Sequence, residues 1–112
     1  MIKLNEEQTK ELVGQFQTYQ QQLQAILIQK ETLQLQLIEI TKALEELDLT
    51  KNGKAYKITG QIMVSKPVEE LKKELTETKE TIEIRVKSLE KTEEKITNKL
   101  KEMETELKKL VK

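Results

Sequence analysis

The side chains of this sequence that could do chemistry are carboxylates, lysines and hydroxyls, because its 112 residues include neither Cys nor His. Without a thiolate or an imidazole, Ser65 and Ser88 have no base to activate them as nucleophiles. The abundant glutamates lack the Glu-x-x-His motif of a two-metal helical site, and Gly53-Lys54 lacks the preceding Gly of a phosphate-binding loop. We therefore expect neither enzymatic activity nor a cofactor or metal.

Charge balance and composition exclude further classes of function. Lys and Arg number 20, as do Asp and Glu, and aromatic residues make up 3% of the chain. A neutral chain without aromatic platforms does not fit nucleic-acid binding. No apolar run reaches the ~20 residues of a membrane span, and the first residues lack the apolar segment of a signal peptide. We expect a cytoplasmic protein that binds neither nucleic acid nor membrane.

Apolar residues recur at heptad spacing through the first half of the chain. One row is Leu12, Tyr19, Ile26, Leu33, Ile40 and Leu47, and the interleaved row is Phe16, Leu23, Lys30, Leu37 and Leu44. Alternating spacings of four and three are typical of a coiled-coil seam, because a 3.5-residue repeat keeps both rows facing one partner. Lys30 is the one charged member.

The second half carries a similar but less regular seam. Its unbroken row is Val68, Leu75, Ile82, Leu89, Ile96, Met103 and Leu110, and its companion row is Lys72, Lys79, Val86, Glu93, Leu100 and Leu107. We expect Leu71 to compensate for the polar start of the companion row, and the packing to weaken around Arg85 and Glu93. Lys30 and Arg85 would form a polar layer at one height, or Lys30 would reach out to solvent.

The segment between the two seams, NGKAYKITGQIMVSKP at residues 52–67, has the alternation of a β-hairpin. We predict strands at 55–59 and 61–66, with Gly60 in a three-residue loop that needs a permissive φ. A lone two-stranded hairpin is marginal in water and leaves two open edges. Five residues are therefore predicted to assemble with strands of other subunits: Tyr56, Ile58, Ile62, Met63 and Val64. The alternative is a rigid linker that only reverses the chain.

The predicted fold class is mainly α, with a long antiparallel two-helix coiled coil joined by a short β-hairpin that assembles into an intersubunit β-barrel. The predicted regions are 5–49 for the N-terminal coiled-coil helix, 50–66 for the linker and hairpin, and 67–112 for the C-terminal coiled-coil helix. Two arms joined by a tight hairpin run antiparallel, so both termini should lie together at the far tip.

The order of these elements resembles that of β-type subunits of the prefoldin family. The resemblance is carried by YKITGQIMV between the arms, by ALEEL before it, and by TYQQQLQ in the first helix. It implies a hexamer in which an α-type prefoldin subunit joins further copies of this chain, two α with four β, through a β-barrel of hairpins. It also implies an ATP-independent chaperone that captures unfolded proteins at the coiled-coil tips and passes them to a cytosolic group II chaperonin.

A chaperone of this kind needs apolar side chains near the chain ends. The candidates for client binding are Ile2, Leu4, Leu12, Val13, Met103, Leu107, Leu110 and Val111. Fraying of the tips would expose them, and Gly14 would loosen that end of the helix. Alternatively, Leu107 and Leu110 simply complete the seam. A different function also remains open, that of a structural spacer or tether whose arms dock one folded partner.

Overall fold

The computed structural model describes residues 6–50 and 53–110 and consists of two long helices joined by a β-hairpin. Helix α1 spans Glu6–Leu49, strand β1 spans Lys54–Thr59, strand β2 spans Ile62–Pro67, and helix α2 spans Val68–Leu110. The predicted fold class is confirmed in these elements. The intersubunit barrel and the division of the chain into three functional regions stay predictions.

Helix ends are stabilised by charge and by hydrogen bonds. Both helices begin with two glutamates in the first turn, and α2 ends with Lys108 and Lys109, in agreement with the helix dipole. The hydroxyl of Thr50 donates to the carbonyl of Glu46 (2.9 Å) and closes the end of α1. The amide of Val68 donates to the carbonyl of Gly53 (3.0 Å), which ties the start of α2 to the residue before β1.

All four predicted seam rows are buried or half-buried in the structure. Among the described residues, the buried apolar side chains all belong to α2 and are Val68, Leu71, Ile82, Val86, Ile96 and Met103. Leu71 lies outside the two rows and is buried, so it compensates for the polar start of the companion row as predicted. The 3.5-residue repeat thus placed the buried surface of both helices correctly.

The described residues belong to two compact units, one formed by residues 6–31 with 87–110 and the other by residues 32–50 with 53–86. In the second unit Asp48 of α1 pairs with Lys72 of α2, and in the first unit Lys30 pairs with Glu93. In the second unit the antiparallel hairpin reverses the chain between Asp48 and Lys72, so the two helices run antiparallel there, as predicted.

The hairpin differs from its prediction in the length of its loop. Thr59 pairs with Ile62, so the loop contains two residues, Gly60 and Gln61, and the predicted three-residue loop is wrong. Gly60 has a φ of 59°, and no other described residue has a positive φ. A Gly with positive φ at the first of two loop positions is typical of a type II′ turn, whose twist matches that of the flanking strands.

The register of the hairpin decides which side chains share a face, because cross-strand partners point the same way. Ile58 pairs with Met63 on one face, where Tyr56 pairs with Ser65. Lys57 pairs with Val64 and Thr59 with Ile62 on the other face. The apolar residues of the hairpin are therefore divided between its two faces.

Candidate assembly and client-binding surfaces

The hairpin presents an apolar surface to solvent. The five predicted assembly residues are between 40% and 70% exposed, and Val64 is the least exposed of them. Within the described chain the sheet contains only β1 and β2, so the outer edge of each strand has no partner strand. Open edges flanked by apolar side chains favour pairing with other strands.

Glu74 of α2 holds both strands of the hairpin. Lys66 Nζ of β2 lies 2.7 Å from Glu74 Oε1, and Lys57 Nζ of β1 lies 3.7 Å from Glu74 Oε2. The hydrogen bond from Lys66 lowers the pKa of the Glu74 carboxyl below its ordinary value of 4.5 and raises the pKa of Lys66 above 10.5. One carboxylate thus fixes the hairpin relative to the start of α2.

Beside this cluster an open pocket of about 460 Å³ separates β1 from the helices of the same unit. Its apolar lining includes Ala43, Leu47, Leu71 and Leu75, and Glu74 lies at its border. On this side the hairpin is held to α2 by ion pairs and not by a packed apolar layer. We therefore expect Glu74 to control how firmly the hairpin is positioned.

Replacing Glu74 by Gln should lower the thermal midpoint of the protein at neutral pH. Because Lys66 lowers the pKa of Glu74, the carboxylate stabilises the fold above the pKa of the unfolded chain, and this contribution is lost as pH falls through the lowered value. The difference in thermal midpoint between wild type and Glu74→Gln should stay constant from neutral pH down to about pH 4.5. It should then disappear as the pH falls further.

Circular dichroism melts across that range provide the measurement. Glu80→Gln, which removes an exposed carboxylate of the same helix, is the matched control. A midpoint difference for Glu74→Gln that persists unchanged into acid would show that the carboxylate does not act through its ion pairs.

Lys30 of the first seam and Glu93 of the second, both charged, bind each other. Lys30 Nζ lies 2.8 Å from Glu93 Oε2, and the two side chains are only 21% and 26% exposed. This hydrogen bond is the main cause that raises the pKa of Lys30 above 10.5. The prediction that Lys30 reaches out to solvent is therefore wrong, and its partner in the polar layer is Glu93 and not Arg85, which is exposed.

The sequence contains a signal for this pair. Partner numbers across antiparallel helices add up to a nearly constant value, 123 for Lys30 with Glu93 and 120 for Asp48 with Lys72. A turn centred on residues 60 and 61 fixes this sum near 121. Lys30 and Glu93 could thus have been matched once the centre of the turn was known.

Replacing Lys30 by Glu should lower the thermal midpoint, because two carboxylates would then face each other in a half-buried seam. Exchanging the charges, with Lys30→Glu and Glu93→Lys in one chain, should restore most of the loss. Melts of the wild type, both single variants and the exchange form a double-mutant cycle. If the exchange variant loses as much stability as the sum of the two single losses, Lys30 and Glu93 are not coupled.

The predicted client-binding residues differ in accessibility. Val13 is 38% exposed, Leu12, Leu107 and Leu110 are half-buried, and Met103 is 3% exposed. Ile2, Leu4 and Val111 lie outside the described residues. Val13 alone of the five described candidates is exposed, so the other four would offer a client their full apolar surface only when the helix ends separate.

Sequence reasoning missed other exposed apolar residues on the helices. They are Leu27, Ile28, Leu35, Ile38 and Leu49 on α1 and Ile84 on α2. None of them belongs to a seam row. Their grouping on α1 matches a second sequence signal, the near absence of charged residues between Leu12 and Ile38.

Comparison with known proteins identifies the family of this chain. The family model of the prefoldin subunit matches residues 10–112. The chain belongs to the prefoldin subunit family. Two relatives named prefoldin subunit beta are similar to it. The one from Archaeoglobus fulgidus is 41% identical over 105 residues, which are 93% of this chain and 90% of the relative. The one from Thermococcus onnurineus is 40% identical over 84 residues, 74% of this chain and 72% of the relative.

A solved structure of the prefoldin family has the same fold. The crystal structure of the prefoldin beta subunit from Thermococcus strain KS-1 superposes with a TM-score of 0.82 at 34% identity, and the match covers 97% of this chain and 96% of that one. The resemblance to β-type prefoldin subunits is thereby confirmed. The chain therefore has the chaperone function of prefoldin. These matches favour that function over the alternative of a structural tether. The family is one of chaperones and not of enzymes.

Two further findings concern the described residues as a whole. No helix among them is both long and apolar enough to cross a membrane. Nor do residues 6–50 and 53–110 bring together three or more acidic side chains in a group that could hold a metal ion.

Proposed function

We propose that this prefoldin subunit belongs to a holdase complex that captures non-native polypeptides without ATP and passes them to a group II chaperonin in the cytoplasm. The observation that carries this proposal is the match to prefoldin subunits over residues 10–112. The exposed apolar hairpin and the apolar helix ends supply the two surfaces that such a role requires. No catalytic step is part of it.

Assembly is assigned to the hairpin. Prefoldin β subunits form hetero-oligomers with α subunits, and we infer a hexamer of two α-type subunits with four copies of this chain. The hairpin in region 50–66 would contribute its open edges to a closed β-barrel. Closure removes the edges and covers apolar side chains that are otherwise exposed. Regions 5–49 and 67–112 would then serve as arms.

Client capture is assigned to the ends of the arms. There the eight candidate residues named above, from Ile2 to Val111, offer apolar contacts that recognise no particular sequence. Burial of apolar surface contributes about 25 cal/mol per Å² without directional requirements, so several small contacts can replace one another. Met103 would add an adaptable thioether side chain once the helix ends open.

Light scattering tests the proposal directly. A chemically denatured protein is diluted into nucleotide-free buffer with and without the complex that co-purifies with this chain. We expect suppression of scattering near stoichiometric ratios. Addition of a group II chaperonin with ATP should then recover folded client, which tests the transfer separately. Unchanged scattering in the presence of a complex shown to be intact by sedimentation would contradict capture.

A further inference from the structure

We propose that the outward face of α1 between residues 12 and 29 is a second client-binding surface, specific for uncharged, extended polypeptide segments. We call the exposed side chains of this stretch the neutral face. The proposal rests on the proposed capture of non-native polypeptides and extends the client-binding surface from the helix ends along α1. It accounts for the glutamines of the motif TYQQQLQ, to which neither the seam nor the hairpin assigns a role.

The composition of the neutral face is unusual for an exposed helix. The stretch LVGQFQTYQQQLQAILIQ contains no charged residue and seven glutamines, all of them exposed. Exposed aliphatic side chains lie among the glutamines, namely Val13, Ala25, Leu27 and Ile28. Helix α2 in the same unit carries 13 charged residues among the 24 from Lys87 to Leu110. Within this unit, residues 12–29 of α1 are therefore uncharged, whereas α2 is strongly charged.

The chemistry of the neutral face selects its occupant. Covering a charged side chain with an apolar segment costs desolvation energy, and here there is none to cover. Each Gln amide both donates and accepts hydrogen bonds, so it can pair with a peptide backbone whatever the client sequence. Leu27 and Ile28 supply apolar contact. Without Lys or Arg, the stretch offers nothing to a nucleic acid or an anionic membrane.

The dimensions agree with an extended segment. Eighteen helical residues span roughly 27 Å, which is the length of about eight residues of extended chain. The neutral face includes Val13 and adjoins the half-buried Leu12, two of the predicted client-binding residues. A client held at the helix ends could therefore lie along α1 and gain contacts there.

Introducing charge tests the neutral face without changing the net charge. Gln17→Glu with Gln21→Lys places an ion pair in the favourable i to i+4 order on the outward side of α1. The matched control is Ser88→Glu with Thr92→Lys, the same pair on exposed positions of α2. In the assembled complex, the α1 pair should raise several-fold the concentration needed to suppress client aggregation, and the α2 pair should not.

The absence of Cys allows a second, direct measurement. An environment-sensitive dye attached through Gln21→Cys should shift to shorter wavelength when denatured client is added, whereas the dye at Thr92→Cys should not respond. Equal responses at both positions, or aggregation suppression unchanged by the α1 charge pair, would overturn the proposal.

Two other outcomes have separate meanings. If the α1 charge pair changes the sedimentation of the complex, the neutral face is a contact between copies of this chain, and the proposal is wrong. If the wild-type complex itself suppresses no aggregation, the proposed capture fails before the neutral face is tested. The dye then decides on its own, since an unresponsive Gln21→Cys position also rejects the neutral face.

Discussion

Replacement of Ile62 and Val64 by Lys should leave this chain in species smaller than the assembled complex, with both helices still folded. The two residues share one face of the hairpin, and Ile62 is 66% exposed in the single chain. A buried Ile or Val side chain contributes about 1.5–3 kcal/mol, and the loss is repeated in every copy of the subunit. Two buried, unpaired lysines add a further desolvation cost.

Sedimentation velocity and circular dichroism measure the two halves of this prediction. The matched control is Gln61→Lys with Ser65→Lys, which adds the same charge to exposed polar positions of the hairpin. An unchanged mass for the Ile62 and Val64 variant would remove the case for assembly through a barrel. Loss of helix in that variant would instead mean that the hairpin stabilises the arms.

The opposite face of the hairpin calls for a companion variant. Ile58→Lys with Met63→Lys changes a cross-strand pair on the face that also carries Tyr56. A hairpin that contributes to a closed barrel has one face inside and one outside. Comparison of the two double variants therefore determines which face is covered more completely in the complex.

The loop of the hairpin shows where sequence reasoning stopped. Gly60 is needed for its positive φ in both a two-residue and a three-residue loop, so the residue alone does not choose between them. A change of one residue in register moves a side chain to the other face. The existence of the hairpin could thus be predicted from alternation and Gly60, but whether Ile62 or Met63 shares the face of Ile58 could not.

The seams, in contrast, could be predicted because they do not depend on the register of the hairpin. A heptad repeat specifies which residues face a partner helix without any knowledge of distant contacts, and every row member from Leu12 to Leu110 is at least half-buried. The pairing of Lys30 with Glu93 required the register of the turn as well. The neutral face escaped notice because its signal is the absence of charge, which has no period.

The client-binding residues depend on local stability, which neither periodicity nor the closed helix pair reveals. Met103 is an example, because its side chain is only 3% exposed. Such a side chain can complete the seam permanently, or it can bind a client after the helix ends fray. The choice between these roles can be made only by changing the ends. If the apolar contacts are redundant, each single substitution will reduce client capture only slightly.

Deletion of residues 1–8 together with 104–112 should therefore abolish stoichiometric client capture and leave assembly intact, while Leu110→Ser alone should weaken capture only modestly. The deletion removes five of the eight candidates at once, namely Ile2, Leu4, Leu107, Leu110 and Val111. The neutral face is retained, but by itself it should bind clients too weakly to suppress aggregation near equal ratios.

Aggregation suppression and sedimentation, measured on the same preparations, separate the surfaces for capture and assembly. Lys101→Ser with Lys108→Ser alters exposed polar positions near the same end and serves as the control. If the deletion disrupts the complex, the ends of the arms take part in assembly, and the separation between hairpin and arms is wrong. If Leu110→Ser alone abolishes capture, the ends bind through one specific contact, as a tether would, because redundant apolar contacts would tolerate its loss.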